Sequence, residues 1–375
     1  MTLLATPGLR PATPGHRPAD PAALRAAAST ERLLGGGRHR VAAIDRPAFA
    51  GRNASWTMTL DDGARVFVKH VSPRTAGPAA FRRSRDFAGF AARSPEHAPA
   101  GPRLLAADED DSLLVFEHCP GTSLALLLVA ERVPADFPEQ AGRLLARLHA
   151  GPVAGLTATS HPSPPVEMLR VGIPHTRYVD LTLAELAFWG DLQHDEQLVS
   201  ATEDLREWES GNRTAPIHGD LRLDQFHLRD GRLQLLDWEE FGIGDPARDL
   251  GTLAGEWIHR AVLDTVTTRE GASAPPLAFD TAAADARIAE RMAALVPRIR
   301  RMWLAYAAET AGSDDALAVR ATAHLGWHLV DRTLARASMV SRLPGIERAA
   351  AGIGRRVLLA PSAYSTALGF DRSPR

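Results

Sequence analysis

The chain is short of cysteine: Cys119 stands alone among 375 residues, so an intrachain disulfide is excluded and the expected home is the cytoplasm. No pure apolar run is longer than Leu124–Ala130, far below the ~20 residues a membrane-crossing helix needs. The N-terminal stretch MTLLATPGLRPATPGH has no apolar core of the secretory kind, so no export signal is expected. Charge of one sign is lacking too. Lys and Arg total 43 against 45 Asp and Glu, a formal net charge of −2, which gives no argument for nucleic acid or membrane as a partner. With 45% hydrophobic residues, a wholly disordered chain is excluded.

The scarcest residue type is lysine. Of the 43 basic residues, Lys69 is the only lysine. Arginine serves as well on most surfaces, but not where a compact ammonium must fit between a phosphate and a carboxylate. Lys69 lies in Arg65-Val66-Phe67-Val68-Lys69, an apolar-rich strand pattern.

Residues 1–30 are rich in Pro and Ala and read as a mobile arm, with a short helix near Pro21–Thr30. From about residue 40 the texture turns to strands: Val41–Ile44, Trp56–Leu60, and Arg65–Val71 after the hairpin signal Asp61-Asp62-Gly63. Residues 77–93 have helical spacing, and Leu104–Ala107 and Leu113–Phe116 read as two more strands. Cys119-Pro120-Gly121 breaks this pattern and marks the expected boundary between a β-rich domain, 31–118, and a mostly helical one, 119–375. Inside the second, residues 151–180 read as a loop-rich insertion. Gln225–Leu228 and Leu233–Leu236 read as a hairpin around Asp230-Gly231, and Pro297 is expected to kink its helix.

The chemistry concentrates in His218-Gly219-Asp220-Leu221-Arg222-Leu223-Asp224-Gln225 and Leu235-Leu236-Asp237-Trp238-Glu239. Phosphoryl transfer explains these residue types. A hydroxyl nucleophile needs a carboxylate to orient it and take its proton, the role open to Asp220. A triphosphate needs divalent metal, and metal of that kind needs hard oxygen ligands, which Asp237 and the amide carbonyl of Gln225 supply. Lys69 completes the charge neutralisation.

HGD-x4-Q, LLDWE and Gly244-Asp245-Pro246-Ala247-Arg248-Asp249-Leu250 together resemble the aminoglycoside phosphotransferase and choline kinase superfamily over roughly residues 40–340. The resemblance implies an α+β, bilobal protein-kinase-like fold with a small antiparallel β N-lobe and a larger helical C-lobe, and the cofactors ATP and Mg2+. It implies Asp220 as catalytic base, Asp237 as main magnesium ligand with Gln225, and Lys69 on the α/β-phosphates. Asp249 would brace the catalytic loop that holds His218, and Glu117–Cys119 would form the adenine hinge. Three departures stand out. Gln225 replaces the usual Asn. No Glu occurs in 77–93, leaving Asp86 as candidate partner of Lys69. The glycine loop is thin, with Gly51 near Asn53-Ala54-Ser55, so phosphate contact would fall to backbone N–H groups and Ser55. Arg222, two residues after Asp220, could stabilise transition-state charge. Glu239 is a candidate second metal ligand.

For the acceptor, the acidic segment 181–210 could suit a polycationic antibiotic but reads as readily as a solvated helix face. Gly51-Arg52-Asn53 with Lys69, HGDLRLDQF, and Asp237–Phe241 with Gly255-Glu256-Trp257 are similar to the kinase-like subunit of class V lanthipeptide synthetases. That implies Ser/Thr phosphorylation in a ribosomal precursor peptide, with a partner lyase removing the phosphate. Arg287, Arg291, Arg298, Arg300 and Arg301 could then attract an acidic leader. The alternatives are a small-molecule antibiotic kinase and a non-catalytic peptide-binding pseudokinase, the latter opposed by the joint presence of Lys69, Asp220 and Asp237. His324 and His328 are spaced i,i+4 but lack an evident third zinc ligand. Trp257, Trp303 and Trp327 read as core.

Overall fold

The computed structural model describes residues 20–36, 38–46, 53–71, 77–156, 162–264, 281–310 and 315–371. Most of the expected arm, and Gly51 and Arg52 of the thin glycine loop, lie outside them.

The chain divides into two compact units, Met1–Thr75 with Leu104–His118, and Ala76–Arg103 with Cys119–Arg375. The smaller unit opens with α1 (Pro21–Leu33). Asp20 caps it by accepting a hydrogen bond from Ala22 N–H, and Pro21 occupies the first turn, where a missing N–H costs nothing. Five strands follow, β1 (Val41–Asp45), β2 (Ala54–Leu60), β3 (Arg65–His70), β4 (Leu104–Asp108) and β5 (Leu113–Glu117), all antiparallel in the order β1-β2-β3-β5-β4. The β2–β3 turn uses Gly63 at φ +82°, and Asp62 accepts from Ala64 N–H. Trp56, Met58, Val66, Val68 and Val115 form one face of the sheet. Ala23, Ala26 and Ala27 of α1 pack on it, their small side chains letting the helix approach closely.

The larger unit begins with α2 (Gly77–Arg93), which was expected in the β-rich domain but clusters here. A short β6 (Thr122–Ser123) leads to α3 (Leu124–Val129) and α4 (Phe137–His149). The insertion folds as α5 (Val166–Arg170) and α6 (His175–Tyr178) before α7 (Leu183–Gln193) and α8 (Glu196–Gly211). The functional segment then runs through β7 (Ala215–Ile217), β8 (Phe226–Arg229), β9 (Arg232–Leu235) and β10 (Gly242–Gly244). Helices α9 (Pro246–Leu263), α10 (Thr281–Glu309), α11 (Asp315–Ala337), α12 (Gly345–Leu359) and α13 (Pro361–Tyr364) complete it. Pro297 lies inside α10, which continues on both sides of it.

β8 and β9 pair around Asp230 and Gly231, both at positive φ, the backbone a two-residue hairpin needs. β7 pairs with β10, Ile217 opposite Gly242, which brings the two chemically rich loops side by side. The main core gathers Phe137, Phe226, Phe241, Trp257 and Trp303 among α4, α9, α10 and the loop strands. A second cluster with Trp189 and Trp327 joins α7, α8, α11 and α12, so the three tryptophans read as core are core. Among the described residues no helix is long and apolar enough to cross a membrane.

Candidate active site

The loop after β7 cannot be built without glycine. Gly219 sits at φ +86°, and a Cβ there would meet the Glu240 carbonyl at 2.6 Å. On one side of it, His218 is buried. Its Nε2 donates to the Leu236 carbonyl (2.9 Å), leaving Nδ1 to accept from Asp220 N–H (3.4 Å). The imidazole thus spans from the start of the loop to the residue before Asp237. On the other side stands Asp220, half-buried. Its carboxylate receives Arg222 Nη1 at 2.6 Å, while Arg222 Nε donates to Asp224 at 3.1 Å. Burial opposes the charge of Arg222, but the carboxylates of Asp220, Asp224 and Asp237 outweigh it and keep the guanidinium firmly protonated. One cation is therefore shared among three carboxylates from two loops.

Two acids of α9 hold this loop. Asp245 caps the helix through Ala247 N–H and Pro246 starts it, which places Asp249 in the first turn, where the helix dipole favours an anion. The fully buried Asp249 carboxylate accepts both His218 N–H and Gly219 N–H at 2.8 Å. It also faces His149 Nε2 at 3.2 Å, and Tyr306 O–H lies 3.1 Å from His149 Nδ1. Burial would raise the Asp249 carboxyl, but the His149 hydrogen bond and its own loop contacts bring it below the usual range; burial and that same carboxylate push the Tyr306 phenol up. Seven residues on, about two turns and ~10.5 Å along the same helix face, Glu256 repeats the arrangement. It accepts Leu223 N–H (3.1 Å) and faces His328 Nε2 (3.0 Å) and Arg332 Nε (3.3 Å), both from α11. Burial works against its ionisation, yet His328 and Arg332 hold it well below the ordinary carboxylate range.

Asp237 is half-buried at φ +69°, ψ 61°, a left-handed conformation that Asp tolerates better than most and that costs about 1–3 kcal/mol. Gln225 is 4% exposed, and its carbonyl oxygen already accepts Arg222 N–H at 2.9 Å. Behind Asp237, Glu240 pairs with Arg83 of α2 at 3.1 Å, and Phe87 stacks on Trp238 with centroids 3.5 Å apart and planes within 5°. Burial pushes Glu240 up and Arg83 down, so desolvation outweighs their attraction in both. Asp86 is half-buried on the same helix, in the larger unit, whereas Lys69 belongs to the smaller.

In the smaller unit, Lys69 is half-buried on β3, opposite Ser55 on β2 and Leu114 on β5. Glu117 ends β5 opposite Val66. Cys119 begins the next segment of the larger unit, and its Sγ donates to Gln234 Oε1 at 2.7 Å. Burial raises that thiol, against the opposing charge of Arg229. His328 is spent on Glu256, and the one grouping of three ligating side chains among the described residues is His39, Asp61 and Asp62, two of them exposed.

Several members of this site had no assigned role in the sequence reading: His149, Tyr306, Glu256, Arg83 and Glu240. Only Glu256 had a legible signal, its seven-residue offset from Asp249 on one helix face.

Residues 49–278 match the family described as phosphotransferase enzyme family (APH), more than half of the chain, and the chain belongs to that family. It is an α+β phosphotransferase of protein-kinase-like fold, with an alcohol group as acceptor. No curated protein matches it. Among solved structures it is similar to a macrolide 2'-phosphotransferase type I (16% identity, 90% of this chain and 97% of that one, TM-score 0.49). It is also similar to a choline/ethanolamine kinase family protein from Mesorhizobium loti (14%, 88% and 92%, 0.48). A third is macrolide 2'-phosphotransferase MphH from Brachybacterium faecium (17%, 87% and 95%, 0.44).

Proposed function

We propose that the protein transfers the γ-phosphoryl group of ATP to an alcohol, most specifically a Ser or Thr hydroxyl of a ribosomally made precursor peptide in lanthipeptide biosynthesis. The observation that carries the transfer is the loop geometry: Asp220 held by Arg222, on a backbone clamped at both ends by buried carboxylates.

In this reading Asp220 accepts the proton of the attacking hydroxyl and aims it. Arg222, already paired with Asp220, stays charged throughout and meets the negative charge that develops on the transferred group. Asp249 accepts the two N–H groups that precede Asp220, His218 Nδ1 accepts that of Asp220 itself and Glu256 accepts that of Leu223 beyond it, the kind of preorganisation that turns a bimolecular encounter into a near-unimolecular step. Lys69 serves the α- and β-phosphates, Ser55 adds a hydroxyl beside it, and Glu117–Cys119 offer main-chain groups to the adenine. Asp86 remains the α2 candidate for support of Lys69. Asp237 fits a magnesium ion by the chemistry of its donors, hard carboxylate oxygens in a setting already rich in negative charge. Bound there, Mg2+ would neutralise the triphosphate.

Support for a peptide over a polycationic antibiotic comes from the acidic segment 181–210. Four of its eight carboxylates are engaged by these arginines: Glu196 and Glu203 by Arg170, Asp195 by Arg355, Asp191 by Arg348. On α10, Arg301 is spent on Glu139 and Arg300 on Asp371, and the exposed Arg291 is the candidate to meet an acidic leader. A lyase acting on the phosphorylated product would be the partner enzyme.

The test is phosphate transfer from labelled ATP with Mg2+ to Ser/Thr peptides carrying an acidic N-terminal segment, run beside an aminoglycoside. Labelled peptide is the expected result. Label on the aminoglycoside alone would replace the peptide reading by the small-molecule one. Asp220→Asn is expected to lower turnover at least ~1,000-fold with nucleotide affinity within about threefold; substantial residual transfer removes Asp220 as base.

A further inference from the structure

Gln225 occupies the position where the family carries a metal-binding amide, and its bonding pattern points another way. Every polar atom of this residue but one is committed. Its N–H donates to the Arg222 carbonyl at 3.1 Å, and its side-chain oxygen accepts Arg222 N–H at 2.9 Å, a small closed ring that holds Arg222. Its own carbonyl accepts Leu236 N–H at 3.1 Å, which ties the turn to the residue before Asp237. The remaining atom, Nε2, is buried and has no hydrogen-bond partner among the described residues.

The amide cannot simply be turned round. Only the carbonyl oxygen can accept from Arg222 N–H, so the donor end of the side chain is fixed by elimination. Turning it would orphan a backbone N–H on the residue that contacts Asp220. A buried N–H2 group cannot ligate a cation; what it lacks is an oxygen acceptor. The turn lies between two loops that carry Asp220, Arg222 and Asp237, so the acceptor that suits it is an oxyanion brought in by a ligand.

Taking the phosphotransferase reading as its basis, we propose that Gln225 serves the site as a hydrogen-bond donor to a phosphate oxygen of the nucleotide, with its carbonyl reserved for Arg222, and is not a direct metal ligand. This differs from the assignment that the family resemblance suggests, and it accounts for Gln where Asn is usual. The extra methylene lets one amide reach Arg222 N–H and still present N–H2 elsewhere.

The test separates metal from phosphate. ATP binding is measured by calorimetry in EDTA, and Mn2+ binding is measured without nucleotide by electron paramagnetic resonance, for wild type and Gln225→Met. Metal-free ATP affinity is expected to fall about tenfold, with Mn2+ affinity unchanged within twofold. Loss of Mn2+ affinity with metal-free ATP binding intact would overturn the proposal and make the carbonyl a ligand. Gln225→Glu guards against a collapsed turn, since it keeps an oxygen for Arg222 N–H and carries no N–H of its own. Wild-type affinity for metal-free ATP in that variant would equally overturn the proposal. Wild-type protein that binds ATP neither with nor without Mg2+ would sink the nucleotide reading itself, a distinct failure.

Discussion

Lys69 and Asp220 are fixed by different kinds of force. On β3, Lys69 is placed by the strand ladder: residues on both sides pair in register with β2 and β5, and the alternation of Val66 and Val68 into the apolar face decides which way position 69 points. Local sequence does nearly all of that. Asp220 lies in a loop with no ladder of its own. It is positioned by side chains 29 and more residues away in sequence, Asp249 and Glu256 on α9, which are themselves held by His149, Tyr306, His328 and Arg332. A sheet position is cheap to specify and tolerant of its neighbours. A clamped loop is expensive to specify and intolerant, because each buried carboxylate must keep its full set of partners.

The sharpest way to break the comparison is Asp249→Asn. The amide has one acceptor oxygen where the carboxylate has two, so one of His218 N–H and Gly219 N–H would face an N–H2 group inside the core. We expect a loss of about 3–5 kcal/mol in urea unfolding, with turnover falling as well. A loss under about 1 kcal/mol would mean that the loop does not depend on this clamp.

Lys69→Arg probes the other side. The ladder should hold, since an arginine fits a half-buried strand position. Unfolding free energy is expected to stay within about 1 kcal/mol of wild type. The guanidinium is planar and broader than an ammonium, so kcat/KM for ATP is expected to fall on the order of 100-fold. Unaltered kinetics would show that charge alone, not the shape of the cation, matters at this position.

The same division explains what could be read in advance. Strands, hairpins and the helical second half were legible because their signals are local: alternation in Arg65–Val71, Asp61-Asp62-Gly63 at one turn, Asp230-Gly231 at another. Asp220, Asp237, Asp249 and Lys69 were legible as a pattern of motifs along the chain. The supports were not. Nothing local in LARLHA says that His149 will meet Asp249 a hundred residues later, or that Tyr306 will complete the chain. On α2, Asp86 was legible as the one acid standing where the resembled family has Glu, whereas the ion pair of Arg83, three residues earlier, to Glu240 was not. That contact is set by packing, and packing is not a property of a window of sequence.

His324 offers the mildest test and concerns the core beneath the clamp. It lies on α11, 2% exposed, with Nε2 unpartnered among the described residues. Burial first, then the charges of Arg248 and Arg320, lower its imidazole to about 3, against the opposing pull of Asp249. An unfolded histidine titrates near ~6.5. Between pH 6.5 and 3 the unfolded chain therefore takes up a proton that the folded one refuses, so the stabilising contribution is complete above pH 6.5 and is lost progressively as the pH falls through that window. By pH 5 the loss from this one group should reach about 2 kcal/mol. His324→Leu removes the titration and keeps an apolar filling. Its stability is expected to decline less than that of wild type between pH 7 and pH 5, by roughly that amount, in urea unfolding at the two values. Parallel declines in both proteins would show that His324 is protonated in the folded state as readily as in the unfolded one.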